Sequence, residues 1–218
     1  MDQQDQSRAD LDWREGAIPV SRRFDDPYFS LNGGLEETRH VFLAGNDLPA
    51  RLRPGFHVAE LGFGTGLNLL ALAQVATMPV RFTSFEAFPM SGDELARAHA
   101  AFPELADLAA QLRAGWPARR FTVGQVSAEV IEADARTALP AWAGQADAWF
   151  LDGFSPARNP ELWGEDLMAQ VAAHTAPGGS FATYTAAGHV RRALAAAGFA
   201  VTRAPGFAGK RHMSRGQL

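Results

Sequence analysis

Glu60-Leu61-Gly62-Phe63-Gly64-Thr65-Gly66-Leu67-Asn68 joins a short apolar run, His57–Leu61, to an apolar helical pattern, Leu67–Ala76. A strand that feeds a helix through alternate glycines opens a βαβ unit. Glycine permits the tight turn and lets a ligand approach the backbone with no Cβ in the way. The amides of the first helical turn can then meet a carboxylate or phosphate. A dinucleotide fingerprint needs its third glycine at position 67, which is Leu67, so G-x-G-x-x-G is not met. A nucleoside cofactor other than NAD is expected, with Glu60, Gly62, Gly64, Thr65, Gly66 and Asn68 as its candidate contacts. A purely structural strand–helix turn is the alternative.

Outward from this loop, short apolar runs alternate with helical patterns. Strands are expected at Val80–Glu86, Phe121–Gly124, Ala128–Ala133, Ala146–Leu151, Ser180–Thr185, Phe199–Arg203 and Arg211–Gln217. Helices are expected from a capping box at Ser91-Gly92-Asp93-Glu94 to about Phe102, between Pro103 and Gly115, over Glu161–His174 with Pro177-Gly178-Gly179 as its stop, and over Gly188–Ala197. This order implies a doubly wound, mostly parallel α/β sheet with an antiparallel last strand. Residues 53–218 would form this Rossmann-like core. Residues 1–52 would pack over the ligand face, with little regular pattern from 20 to 50.

In such sheets ligands bind beyond the carboxyl ends of the strands, where the strand order reverses. Glu60, Glu86, Asp134 and Asp152 all fall at such ends. Glu86 lies 20 residues beyond Gly66, where a carboxylate can accept from both ribose hydroxyls; a solvated strand end is the alternative. Asp134 is placed to accept from an adenine amino group, or is a surface turn. Asp152 opens Asp152-Gly153-Phe154-Ser155-Pro156-Ala157-Arg158-Asn159-Pro160, with Trp163 following. Glycine and proline shape this loop. Its carboxylate would face the reactive end of the cofactor, and Phe154 and Trp163 would offer stacking surfaces for a base.

Other chemistries lack their residues. With no cysteine there is no disulfide, thiolate nucleophile or cysteine-ligated metal. The six histidines show no metal-ligand spacing, so no metal is expected, and there is no nucleophile elbow. The sole lysine, Lys210, is far from the glycines, which excludes a Walker loop. Met1–Asp10 is polar and acidic, unlike a secretory signal, and no apolar run is long enough to cross a bilayer. A soluble cytoplasmic protein is expected. Six of the 20 basic residues and none of the 24 acidic ones follow Asp166, so the net charge of −4 hides a basic last quarter. That quarter could hold a polyanion, or be a solvated surface lacking carboxylates.

The G-x-G-x-G form after an acidic residue resembles the first motif of class I methyltransferases. The Asp152–Trp163 loop carries a narrower resemblance, together with Asp25–Ser30, Glu37–Leu43, Glu60–Asn68, Ala187–Arg192, Gly198-Phe199 and Gly206–Met213. Over roughly residues 20 to 215 the chain is similar to the methyltransferase domain of the bifunctional tRNA 5-methylaminomethyl-2-thiouridine biosynthesis proteins. The resemblance implies S-adenosylmethionine as methyl donor and the amine of a wobble-position 5-aminomethyl-(2-thio)uridine as acceptor. Full family members also carry a flavin-dependent oxidase. No second glycine fingerprint for a flavin occurs in these 218 residues, so a methyltransferase without the oxidase is expected, with a separate oxidase as a possible pathway partner. Asp152 would orient the amine and accept its proton. Tyr28, Phe154, Arg158, Asn159 and Trp163 would line the substrate pocket, and Lys210 and Arg211 would meet phosphates of the anticodon arm. The family usually has lysine at the position of Arg158. A methyltransferase acting on a small amine or a protein, and a silent nucleotide- or RNA-binding module, remain the alternatives.

Overall fold

Val58, Ala59 and Leu61 are all fully buried, although successive side chains of a strand point to opposite faces. A strand buried on both sides belongs in the middle of a sheet covered on both faces. The computed structural model, which describes residues 7–30 and 33–218, places it there. The strands are β1 (Leu11–Arg14), β2 (Ile18–Ser21), β3 (Asp26–Pro27), β4 (His57–Leu61), β5 (Val80–Glu86), β6 (Arg120–Val123), β7 (Val126–Glu132), β8 (Ala146–Leu151), β9 (Thr175–Thr183), β10 (Ala200–Pro205) and β11 (His212–Gln217). The α-helices are α1 (Gly34–Thr38), α2 (Leu67–Val75), α3 (Gly92–His99), α4 (Ala106–Gly115), α5 (Ala135–Ala138), α6 (Glu165–Ala173) and α7 (Gly188–Ala196).

The main sheet runs β10-β11-β9-β8-β4-β5-β7-β6. Its central strands pair in parallel, while β6, β11 and β10 are antiparallel additions at the two edges. The chain winds outward from β4 through β5 to β7, then returns to β8 on the other side of β4. The crevice between β4 and β8 is therefore the switch point. Alternation along the strands feeds two cores. Val58, Phe82 and Phe150 face α2, α4 and the N-terminal segment. Ala59, Leu61, Phe85, Trp149 and Leu151 face α6 and α7.

The elements expected at β4, β5 and β8 have the boundaries found, and the capping box of α3 is formed in both directions. Three differences have local causes. The helix expected from Glu161 begins at Glu165, because Pro160–Trp163 makes a 3-10 turn and Gly164 is extended. Pro177-Gly178-Gly179 does not stop that helix; it lies within β9, where the register against β8 shifts. The N-terminal segment also holds regular structure: β1, β2 and β3 form a small antiparallel sheet, and α1 leads into a π turn, Arg39–Leu43. Strands of two to four residues are too short to show a period. Of the polar stretch Met1–Asp10, residues 1–6 lie outside the described residues, as do residues 31 and 32 of the N-terminal segment. Among the described residues no helix is long and apolar enough to cross a membrane.

Candidate active site

Gly62, just after β4, and Gly153, just after β8, bring the two loops of the switch point together. A Cβ on Gly62 would stand 3.3 Å from the Gly153 Cα. The pocket that opens here has a volume of about 500 Å³, within the usual range of small-molecule sites. Its walls come from the glycine loop, the ends of β5 and β8, and two parts of the N-terminal segment, Arg23–Ser30 and the stretch around α1.

Asp152 sits at the inner end. Its Oδ2 accepts from the Asn68 side-chain amide at 2.8 Å, and its Oδ1 accepts from the Gly153 N–H at 2.8 Å. Burial pushes its carboxyl up to about 7 against these hydrogen bonds. The neighbouring Glu37 charge adds to the rise and Lys210 opposes it. The other Asn68 amide hydrogen goes to Glu60 Oε1 at 2.8 Å, while Thr38 donates to Asn68 Oδ1 at 3.0 Å. Ser84 donates to Glu60 Oε2 at 2.6 Å. The Thr38 contact fixes which way the Asn68 amide faces, and so which group Asp152 meets.

Glu86 holds the other side of the glycine loop. Its Oε2 accepts the Gly64 N–H at 2.8 Å and its Oε1 the Phe88 N–H at 2.7 Å. A carboxylate has about four lone-pair sites, so acceptor capacity remains for a ligand hydroxyl. Burial raises its carboxyl above the usual range, opposed by these backbone hydrogen bonds. Asp134 lines the pocket as the N-cap of α5, accepting the Arg136 N–H at 2.9 Å. Its carboxylate is also gripped by the Arg136 guanidinium, which holds it below the usual range.

Gly62, Gly64, Thr65, Asn68, Glu86, Asp134, Asp152, Tyr28, Phe154, Asn159 and Lys210 all border this pocket. Several other residues expected at the site stand elsewhere, and Asn68, though at the pocket, is already engaged. Glu60 is fully buried beneath the pocket, where it holds Asn68. Asn68 has both amide hydrogens and its carbonyl committed to protein partners, so it positions Asp152 rather than offering a free amide to a cofactor. Gly66 lies behind the loop as the N-cap of α2, with φ +74°. Trp163 is buried and donates its indole N–H to the Phe154 carbonyl at 2.9 Å; it shapes the loop and presents no stacking face. Arg158 points outward to Asp25 at 3.0 Å. Arg211 is exposed and lies outside the pocket lining. The basic tail is also partly neutralised, by Lys210–Glu37 and Arg215–Asp47.

Phe24, Asp26, Glu37 and Tyr184 also line the pocket and had been given no role, although Asp26 and Glu37 fall within the stretches that carry the resemblance. Asp26 accepts the Ser155 N–H at 2.8 Å, and the Phe24 ring stacks on Phe154 at 4.7 Å, so the N-terminal ribbon clamps the Asp152 loop. Tyr28 meets Phe154 edge-on at 4.9 Å. Tyr184 follows β9 and donates to the Gly153 carbonyl at 2.8 Å. The strand-end rule, carried one strand further, would have pointed to Tyr184. No comparable rule reaches Phe24, Asp26 or Glu37, which lie in short elements and turns of the N-terminal segment.

Residues 103–218, just over half of the chain, match the family described as S-adenosyl-L-methionine-dependent methyltransferase. The chain belongs to this family. Its cofactor is therefore S-adenosylmethionine. The chain is 46% identical, over 95% of its length, to a Caulobacter tRNA 5-methylaminomethyl-2-thiouridine biosynthesis bifunctional protein MnmC, and 45% identical, over 97%, to the protein of that name from Chromobacterium violaceum. It spans only 38% and 35% of those two relatives. The crystal structure of MNMC2 from Aquifex aeolicus superposes with a TM-score of 0.73 at 25% identity, covering 98% of this chain and 72% of that one. The glycine loop lies outside the matched family segment, so the methyltransferase pocket joins matched residues such as Asp134 and Asp152 to a first half related through the longer proteins.

The pocket residues fit the methyltransferase cofactor. Glu86 keeps acceptor sites open, and the α2 N-terminus has no side-chain cap among the described residues, leaving its amides for a carboxylate. The turn itself depends on Gly66. A Cβ there would meet Phe63 Cζ at 2.7 Å and Leu112 Cδ1 at 2.8 Å, and both side chains are buried. Left-handed backbone strain of about 1–2 kcal/mol adds to overpacking of about 1–3 kcal/mol. Gly66→Ala is expected to lower the melting midpoint by about 5–15 °C in a protein of this size, read by thermal denaturation. An unchanged midpoint would show that the turn tolerates a side chain.

Proposed function

We propose that this chain methylates the amine of 5-aminomethyl-(2-thio)uridine at the wobble position of tRNA, using S-adenosylmethionine. The observation that carries the proposal is Asp152, a partly buried carboxylate at the switch point with its carboxyl pushed up to about 7. It stands beside the aromatic wall of Phe154 and Tyr28. A group poised near neutrality can take a proton from an alkylammonium and leave the free amine. The names of the bifunctional relatives and of the Aquifex structure support the same acceptor.

In this proposal Glu86 accepts from the ribose, Asp134 faces the adenine, and the α2 amides take the amino-acid carboxylate. The cofactor, when bound, supplies a methyl group activated on a sulfonium. Asp152 orients the amine for in-line attack and takes its proton, directly or through water, while Asn68 and Gly153 hold the carboxylate in place. One N–CH3 bond forms, one S–CH3 bond breaks, and the proton leaves on Asp152. Such catalysis is chiefly orientation. Phe154 and Tyr28 flank the base, with Asn159 at the edge of the pocket. The exposed Arg192, Arg203 and Arg211 meet anticodon-arm phosphates. The core, 53–218, carries the transfer, and the described part of 1–52 packs over the ligand face. In this reading the protein acts in the cytoplasm, where a flavin-dependent oxidase acting first would supply the amine.

The test is direct. The protein is incubated with labelled S-adenosylmethionine and tRNA from cells lacking the modification, and the labelled nucleoside is identified by mass spectrometry. Label in 5-methylaminomethyl-(2-thio)uridine is the expected result. Label in another nucleoside, or only in small amines or protein, would overturn the assignment.

A further inference from the structure

Lys210, the only lysine in the sequence, reaches back from the β10–β11 loop into the pocket wall. Its Nζ donates to Glu37 Oε1 at 2.7 Å and lies 4.8 Å from the centroid of the Tyr184 ring. The Glu37 side chain is only 13% exposed, whereas that of Lys210 is 48% exposed. A shielded carboxylate and an aromatic face converging on one ammonium are the usual elements of a cation site. The same two residues border the pocket that contains Asp152, and both Glu37 and Lys210 act on the Asp152 charge. Tyr184 is held rigidly by its hydrogen bond to Gly153, in the loop that carries Asp152.

We propose that Glu37 and the Tyr184 ring form a subsite for a primary alkylammonium beside Asp152, and that Lys210 occupies it in the free protein. The inference rests on the amine-methylating function, whose acceptor is cationic at neutral pH. Glu37 captures the ammonium form and draws it beside Asp152, which then takes the proton. The subsite selects for a positively charged substituent on the base. Lys210, tethered and half-exposed, competes for the same two partners and yields to the substrate.

The subsite can be read without turnover, by calorimetric titration of 5-aminomethyluridine into protein loaded with S-adenosylhomocysteine. Lys210→Met is expected to tighten binding by about two- to fivefold, the scale of a partly exposed ion pair. Adding Glu37→Gln to Lys210→Met is expected to weaken binding by about tenfold or more, through loss of a charge-assisted hydrogen bond. Uncharged 5-hydroxymethyluridine should bind both variants alike, and unchanged S-adenosylhomocysteine affinity reports an intact fold. Equal binding of the amine by Lys210→Met with and without Glu37→Gln would show that Glu37 serves only to hold Lys210, and would overturn the subsite. So would an equal loss for the hydroxymethyl analogue. Wild-type methylation of tRNA is a separate readout: its failure removes the function proposed above, and the amine titration still decides the subsite.

Discussion

Asp152→Asn is expected to lower kcat by about 10²–10⁴-fold, the usual contribution of a positioned general base, with cofactor affinity changed only a few-fold. The substitution is close in shape but not in bonding. Asp152 accepts from Asn68 on one oxygen and from the Gly153 N–H on the other. An asparagine has one oxygen and one NH2 group, so one donor would face another donor. The variant thus loses both the proton acceptor and one of the two hydrogen bonds that aim it. Single-turnover methylation of tRNA measures the chemical step, and S-adenosylhomocysteine titration measures the pocket. A variant with wild-type kcat would remove Asp152 from the chemistry.

The wild-type pH profile follows from the same group. Only ionised Asp152 can accept a proton, and its carboxyl is pushed up to about 7. Activity governed by the free enzyme should therefore be lost as pH falls through about 7, seen in kcat/KM. A bound sulfonium is a nearby positive charge and favours the carboxylate, so the acidic limb of kcat should lie lower than that of kcat/KM.

Glu86→Ala is expected to weaken cofactor binding by about 10–100-fold, matching the loss of hydrogen bonds to a charged acceptor. The carboxylate joins the Gly64 and Phe88 amides, which flank the pocket on separate loops. Alanine leaves both N–H groups without that acceptor and offers nothing to a ribose. The effect should appear in the dissociation constant of S-adenosylhomocysteine, with kcat at saturating cofactor falling less. An affinity within twofold of wild type would place the ribose elsewhere. Contrasting Glu86→Ala with Asp152→Asn separates the two ends of the pocket, one reporting through affinity and the other through rate.

The sequence by itself determined the α/β winding. The runs at β4, β5 and β8 are short, largely apolar, and end on or just before a glycine or an acidic residue, so composition and turn chemistry agree. It also brought Glu86, Asp134 and Asp152 to one edge, because parallel strands share one carboxyl end. Tertiary structure alone decided which of the candidate carboxylates face the pocket. Glu60 and Asp152 both lie near strand ends, but only Asp152 borders the pocket. Glu60 lies within β4 rather than beyond it, and its side chain is sealed beneath Asn68 and beside Ser84. Trp163 likewise has an aromatic face suited to a base, yet the turn before α6 buries it. Glu37, Thr38, Asp26 and Phe24 meet partners 30 to 173 residues away in sequence, from elements and turns too short to carry a period. Their contacts depend on packing between distant segments, and no local spacing records where a distant segment lands.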